Sequence, residues 1–370
     1  MKKVKVFLTL IAFSLVTIFQ SCEPIVDPVP DETNIVPEKF MIEIPSSLAN
    51  NTNLKSANAS DTLQGNDIYQ HLTSFILVGV HASVVANQIM FSIALYNLSQ
   101  PLSFSFTGDD DGRTKQVVII ENSTFEGIVW DYQMTITDDG PGNTSGMETR
   151  AMQVFWNLNP VEGIAILNPY NCDRTIDPEM IDAMYRIEYN ESGSLGYDKH
   201  MIVTIDNLPL ADPLANPYSI STLKMFVGKS GDEVSVYGNS EHPNALFFNG
   251  DVGFDWAFAA SSYSSSNIAV AEVGLPSHTL NASDRYTLLE VNSIENVFTG
   301  QIYDVWPAID STSVQGFLHN TEAPGFFNQW GFVQGGTAPG PQYAGLQNTI
   351  QNLTPYNPSE LNNLDVVFKP

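Results

Sequence analysis

Between Pro101 and Pro276 apolar residues recur at every second position, and clusters of Gly, Asp and Asn interrupt the pattern at short intervals. A period of two sends successive side chains to opposite faces of an extended chain, so this stretch is committed to β structure. Leu102-Ser-Phe-Ser-Phe alternates strictly, Gly108-Asp-Asp-Asp-Gly reverses the chain, and Gln116-Val-Val-Ile-Ile follows. Residues 125–137 lead into Asp138-Asp-Gly-Pro-Gly-Asn, and further runs stand at 151–158, 163–167, 185–189, 201–205, 223–227, 234–237, 255–260 and 268–273. Runs of this length joined by connections as tight as Lys229-Ser-Gly-Asp pair as antiparallel hairpins and meanders. Long, strongly twisted sheets curl or close, so the expectation is one large curled antiparallel sheet, as a meander, half-barrel or sandwich.

Helical periodicity flanks the sheet. Over residues 67–97, Ile68, Leu72, Phe75, Ile76, Val80, Val84, Ile89, Ile93 and Ala94 recur close to every 3.6 positions, with Asn66 or Asp67 placed to cap. This predicts one long helix or two consecutive ones, with a strand over 75–85 as the competing reading. Gly79, His81, Asn87 and Gln88 break the apolar run into lengths suited to a buried helix rather than a membrane span. Residues 282–297 and 343–353 read as C-terminal helices, and 364–368 as a last strand. The fold class is therefore α+β, one globular unit over 38–370 with a division near 276–281 as the alternative.

The N-terminus carries Lys2, Lys3 and Lys5, an apolar run from Val6 to Phe19, and then Gln20-Ser21-Cys22. This resembles a bacterial lipoprotein leader of the Bacteroidota type, which implies cleavage of residues 1–21 and lipidation of Cys22. Glu23 to Pro37 is rich in Pro and acid and reads as an extended tether. Its acidic residues are also similar to the surface-export signals of that group, and Asp61-Thr62-Leu63 and Asp310-Ser311-Thr312 to its O-glycosylation sequons, at Thr62 and Ser311. The resemblance implies an outer-membrane protein, lipid-anchored, on the periplasmic or the cell-surface face, with the surface favoured.

Charge and cysteine content narrow the partners. Losing the leader removes three lysines from 15 basic residues and none of the 41 acidic ones, leaving a formal charge of −29. Such a chain lacks the cationic footprint that nucleic acid and anionic headgroups require, so membrane attachment falls to the lipid. With Cys22 acylated, Cys172 has no partner for a disulfide, and the core alone must hold the fold.

Signatures of chemistry are sparse. The six histidines form no HExxH, and no G-x-S-x-G occurs. Asp109, Asp110 and Asp111 beside Gly112 are weak calcium candidates, because tight turns favour the same residues. Tyr237-Gly-Asn-Ser-Glu-His-Pro-Asn reads as a polar loop, with Asn239, Ser240, Glu241, His242 and Asn244 as candidate binding residues. Phe326, Phe327, Trp330 and Phe332 lie between Gly and Pro; they are either an exposed interface or, the favoured reading, packing at one end of the sheet. No cofactor is implied. The expected function is non-enzymatic binding, as an accessory subunit of an envelope complex or a surface protein that binds another envelope protein or a glycan. The alternatives are a carrier of lipid or apolar ligand and an anchored polymer hydrolase.

Overall fold

Glu126 and Gly127 both take positive φ, 51° and 78°, and so reverse the chain in two residues between its two longest early strands. Connections of this kind build the whole sheet in the computed structural model, which describes residues 34–50, 63–141, 143, 149–212, 216, 218–353, 364 and 366–369. A short strand, β1 (Leu63–Gln64), leads directly into helix α1 (Gly65–Ala94). Then follow β2 (Ser103–Thr107), β3 (Thr114–Phe125), β4 (Ile128–Asp138), β5 (Arg150–Leu158), β6 (Val161–Leu167), β7 (Met184–Asn190) and β8 (Lys199–Asp206). The series continues with β9 (Thr222–Ser230), β10 (Glu233–Leu246), β11 (Val252–Tyr263) and β12 (Ile268–Gly274).

After β12 the chain leaves the sheet for helices α2 (Ile294–Val305) and α3 (Ser311–Phe317), and β13 (Leu318–His319) pairs in parallel with β1. β14 (Gly325–Asn328) and β15 (Gly331–Gly335) return to the sheet beside β12, and α4 (Ala344–Gln351) follows. The result is a thirteen-stranded antiparallel sheet in the order β15-β14-β12-β11-β10-β9-β8-β7-β6-β5-β4-β3-β2, with β15 and β2 as unjoined edges. The α+β class, the large antiparallel sheet and the helices on either side of it are as the periodicities indicate.

α1 crosses the concave face from one edge of the sheet to the other. Near its start Tyr69 stacks on Phe332 of β15, 4.7 Å between ring centroids, and meets Phe327 of β14 edge-on. Farther on, Phe75 packs on His242 of β10 and Trp256 of β11, and beyond the helix end Tyr96 reaches Phe104 of β2. Thirty residues at about 1.5 Å each give ~45 Å, enough to bridge the curl. The buried side of the helix is bulky at its start and small at its middle: Ile68, Tyr69, Leu72, Phe75 and Ile76 give way to Gly79, Ala82, Ser83 and Ala86. A Cβ on Gly79 would stand 2.5 Å from the Met225 methyl of β9, so Met225 and Leu223 fill the space that a side chain here would take.

The pleat divides the core. Inward residues such as Met134, Trp156, Val203, Met225, Val236, Trp256 and Phe258 pack around α1. Outward residues Phe226, Tyr237, Ala257, Ala259, Val270 and Phe326 are covered by Leu288, Leu289, Tyr343, Leu346 and Ile350 from the C-terminal segments. A third cluster forms where Val366 and Phe368 lie on Trp130, Phe155, Ile164 and Ile166. β12 is buried along its whole length, because both faces of the sheet are covered there.

Four expectations need correction. Residues 34–37 belong to the core rather than to a tether: Ile35 and Val36 are buried, and the Ile35 carbonyl accepts from Trp156 Nε1 at 2.7 Å. Neither Asn66 nor Asp67 caps α1, since pairing of Leu63–Gln64 with Leu318–His319 starts the helix at Gly65 without a side-chain cap. The helix expected over 282–297 is a π-helical turn, Tyr286–Val291, followed by α2, because Ser293 accepts from Asn296 N and starts a new helix. The described residues of 364–368 pack on the convex face through Val366 and Phe368 without pairing as a strand.

Candidate functional site

The segment 239–244 is strand, not loop, and the pleat of β10 splits the predicted binding group. Ser240 and His242 point inward, fully buried, where His242 packs on Phe75 and Trp256. Ser240 Oγ lies 2.8 Å from His242 Nε2, and His242 Nδ1 lies 3.1 Å from the Tyr218 carbonyl. The carbonyl can only accept, so Nδ1 carries the proton and Nε2 accepts from the serine. Burial pushes the imidazole down to about 3, keeping it neutral. This serine and histidine are hydrogen-bonded but shut off from solvent, and they serve the core.

Asn239 and Glu241 point to the convex face. Glu241 pairs across to Asp255 of β11 and accepts from the hydroxyls of Ser221 and Thr222 through Oε2, both at 3.1 Å. Burial, and then the nearby Glu241 carboxylate, raise Asp255 to about 7, while His278 opposes the shift. Asp255 Oδ1 and Asn239 Oδ1 are buried without a hydrogen-bond partner. Asn244 is half-buried in the irregular stretch where the β10–β11 register shifts between His242 and Leu246.

At the tip of the same hairpin an aromatic ledge reaches solvent. Phe247 turns inward onto Phe254 and Phe298, and Phe248 turns outward onto Trp306, 5.2 Å between centroids. Trp306 also packs on Phe317 at 5.2 Å. α2 is fixed to the tip by the Phe248 amide, which donates to Gln301 Oε1 at 3.2 Å. Trp306 remains 42% exposed, and Leu246, Val252, Tyr303 and Val305 extend the apolar surface. Asn249 Nδ2 donates to Asp251 Oδ2 at 2.6 Å and to Asp304 Oδ2 at 3.3 Å, placing one amide and two carboxylates at the rim.

The segment 326–332 is mostly packing. Phe326 and Phe327 are fully buried, Phe332 is half-buried against Tyr69, and Trp330 alone is displayed, 77% exposed between β14 and β15. The aspartates at 109–111 sit in a turn whose last member is engaged: Asp111 accepts from Lys115 Nζ and from the backbone amides of Arg113 and Arg174. Asp138 beside it is paired with Arg113, Lys115 and Arg174. Among the described residues no group of three or more His, Cys, Asp or Glu is placed to hold a metal ion. Ser311 is exposed at the start of α3, behind the capping Asp310, whereas Cys22 and Thr62 lie outside the described residues.

Sequence reading missed the ledge because Phe248, Trp306 and Phe317 are far apart in the chain. The Asn249-Gly250 pair that turns the hairpin was the available signal, since it marks Phe248 and Val252 as tip residues. Comparison of the chain with protein-family models, with curated proteins and with solved structures gives no match in any of the three.

Proposed function

We infer that this chain is a lipid-anchored protein of the bacterial outer membrane that acts by binding, and that the ledge around Trp306 takes a neutral glycan. The leader and Cys22 support the anchor. The observation that carries the ligand class is the juxtaposition of Phe248, Trp306 and Phe317 with Asn249, Asp251 and Asp304. Sugar rings present C–H faces that stack on aromatic planes and hydroxyls that donate to carboxylate and amide oxygens. Two rim carboxylates on a chain of formal charge −26 disfavour an anionic ligand. α1 fills the concave face of the sheet, which weighs against a carrier holding an apolar chain there.

Titration of the purified protein with a panel of neutral oligosaccharides tests this reading. Saturable binding that weakens tenfold or more in Trp306→Ala, and is unchanged in Trp330→Ala, supports it. Absence of binding across the panel, or equal binding by Trp306→Ala, sinks it. Recovery from solubilised membranes with a stoichiometric integral protein would make the ledge a protein interface instead.

The Glu241–Asp255 pair favours a second reading, an anchored polymer hydrolase. A carboxyl whose pKa is raised to about 7 beside a second carboxylate is the kind of pairing that glycoside hydrolysis employs. Release of reducing ends by the wild-type protein, lost in both Asp255→Asn and Glu241→Gln, would establish it.

A further inference from the structure

The end of α1 carries an apolar surface that stays exposed among the described residues. Phe91, Leu95 and Tyr96 are 46%, 52% and 56% exposed, on the last turn of the helix and just beyond it. Tyr96 leans on Phe104, 5.1 Å between centroids, so its ring is fixed at the β2 edge of the sheet.

Two observations identify what meets this surface. First, the described chain enters the fold here: Asn34 Nδ2 donates to the Ala94 carbonyl at 2.9 Å, and the Ile35 amide to the Leu98 carbonyl at 2.8 Å. Cys22 is 12 positions before Asn34, a span of at most about 40 Å when fully extended. A lipid on Cys22 therefore keeps this edge of the sheet near the bilayer and raises the local concentration of membrane at it. Second, the helix from Ile68 onward and the β2 strand that follows it carry no charge of their own. Residues 68–108 contain no Asp, Glu, Lys or Arg, although the whole chain holds 41 acidic and 15 basic residues. Aromatic and aliphatic side chains with one phenol, as at Phe91, Leu95 and Tyr96, are what the membrane interface favours.

We propose that Phe91, Leu95 and Tyr96 form a membrane-seating surface, resting in the headgroup region of the bilayer that holds the anchor. The inference depends on the lipoprotein reading above and adds an orientation to it. With the β2 edge on the membrane, the β10–β11 hairpin stands eight strands along the sheet. Seating by three side chains is too weak to hold an unanchored protein, but it suffices to orient one that the lipid already retains.

The test uses the full-length protein purified from membranes and reconstituted in phosphatidylcholine–phosphatidylethanolamine vesicles, with a nitroxide at Leu95→Cys or Trp330→Cys. Burial raises the Cys172 thiol to about 12, leaving it poorly reactive toward the label. The expected result is a severalfold lower collision rate with a water-soluble relaxation agent at 95 than at 330, abolished by adding Phe91→Ser and Tyr96→Ser. Equal collision rates at the two positions, with lipid found on the Cys22 peptide by mass spectrometry, would overturn the seating and leave the anchor standing. A Cys22 peptide without lipid would overturn the lipoprotein reading, and the seating with it.

Discussion

Ser240 and His242 stand two residues apart on one face of β10, with Ser240 Oγ 2.8 Å from His242 Nε2 and neither side chain reaching solvent. Adjacent in sequence, they looked like members of a polar recognition loop. In the fold they are a satisfied pair beneath α1, and the consequences are for stability. Ser240→Ala leaves a buried imidazole nitrogen without its donor, at a cost of about 1–3 kcal/mol. Urea unfolding at pH 7 measures the loss.

The same histidine makes stability depend on pH. Its folded pKa lies below the ordinary histidine value, so its contribution is fully present above about 6.5 and is lost as pH falls toward 3. In His242→Gln the drop in melting temperature between pH 7 and pH 4 should be smaller than in wild type. A drop of the same size would mean that His242 is not held neutral by burial.

Asp255 has the opposite sign. Its folded pKa is raised to about 7, so the penalty for ionising it is absent below the unfolded value and grows as pH rises through 7. Asp255→Asn should gain stability relative to wild type on going from pH 5 to pH 8, by about 2 kcal/mol after allowing for partial solvent access. Chemical denaturation at the two pH values gives the comparison directly.

Asp138 gathers Arg113, Lys115 and Arg174 around one carboxylate whose side chain is fully buried. Burial alone would raise its pKa, but the Arg113 hydrogen bonds and the Lys115 charge outweigh it and hold it below the usual carboxylate range. Asp138→Asn removes the carboxylate that Arg113 and Arg174 share, although Lys115 keeps Asp111 at 2.9 Å, and should cost about 3 kcal/mol. For the wild type, the stabilisation is present above the unfolded value near 4 and disappears in acid as pH falls through the folded one. A variant as stable as wild type at pH 7 would remove the network from the forces that hold β3, β4 and the 168–174 segment together.

Gly79 faces β9, where an added Cβ would stand 2.5 Å from the Met225 methyl and 3.0 Å from Leu223. Gly79→Leu drives a side chain into Met225 and Leu223 and should destabilise by about 2 kcal/mol, despite the better helix propensity of Leu. Combining it with Met225→Ala should recover part of that loss, a non-additivity that thermal unfolding of the four proteins would reveal.

What the sequence by itself determined is local and periodic. Alternation at 102–106 and short apolar runs bounded by turn residues at 116–120, 151–158 and 268–273 dictated strands, because such runs are too short for helices and bury their apolar side chains in an extended chain. The 3.6-residue period from Ile68 to Ala94 dictated a helix for the same geometric reason, and tight turn residues dictated meander pairing. What only the tertiary structure decided depends on which periodic elements meet. The pleat of β10, set by its register with β9 and β11, sent His242 into the core and Glu241 outward. The curl of the sheet let α1 lie across it and bury Phe327, while the C-terminal segments bury Phe326 on the other face, taking both out of any interface. The ledge at Trp306 joins residues 248, 306 and 317, and the entry of the described chain into the fold joins 34 and 35 to 94 and 98. Contacts between residues so far apart in the chain leave no period and no spacing to read, since they exist only after the intervening chain has been folded back upon itself.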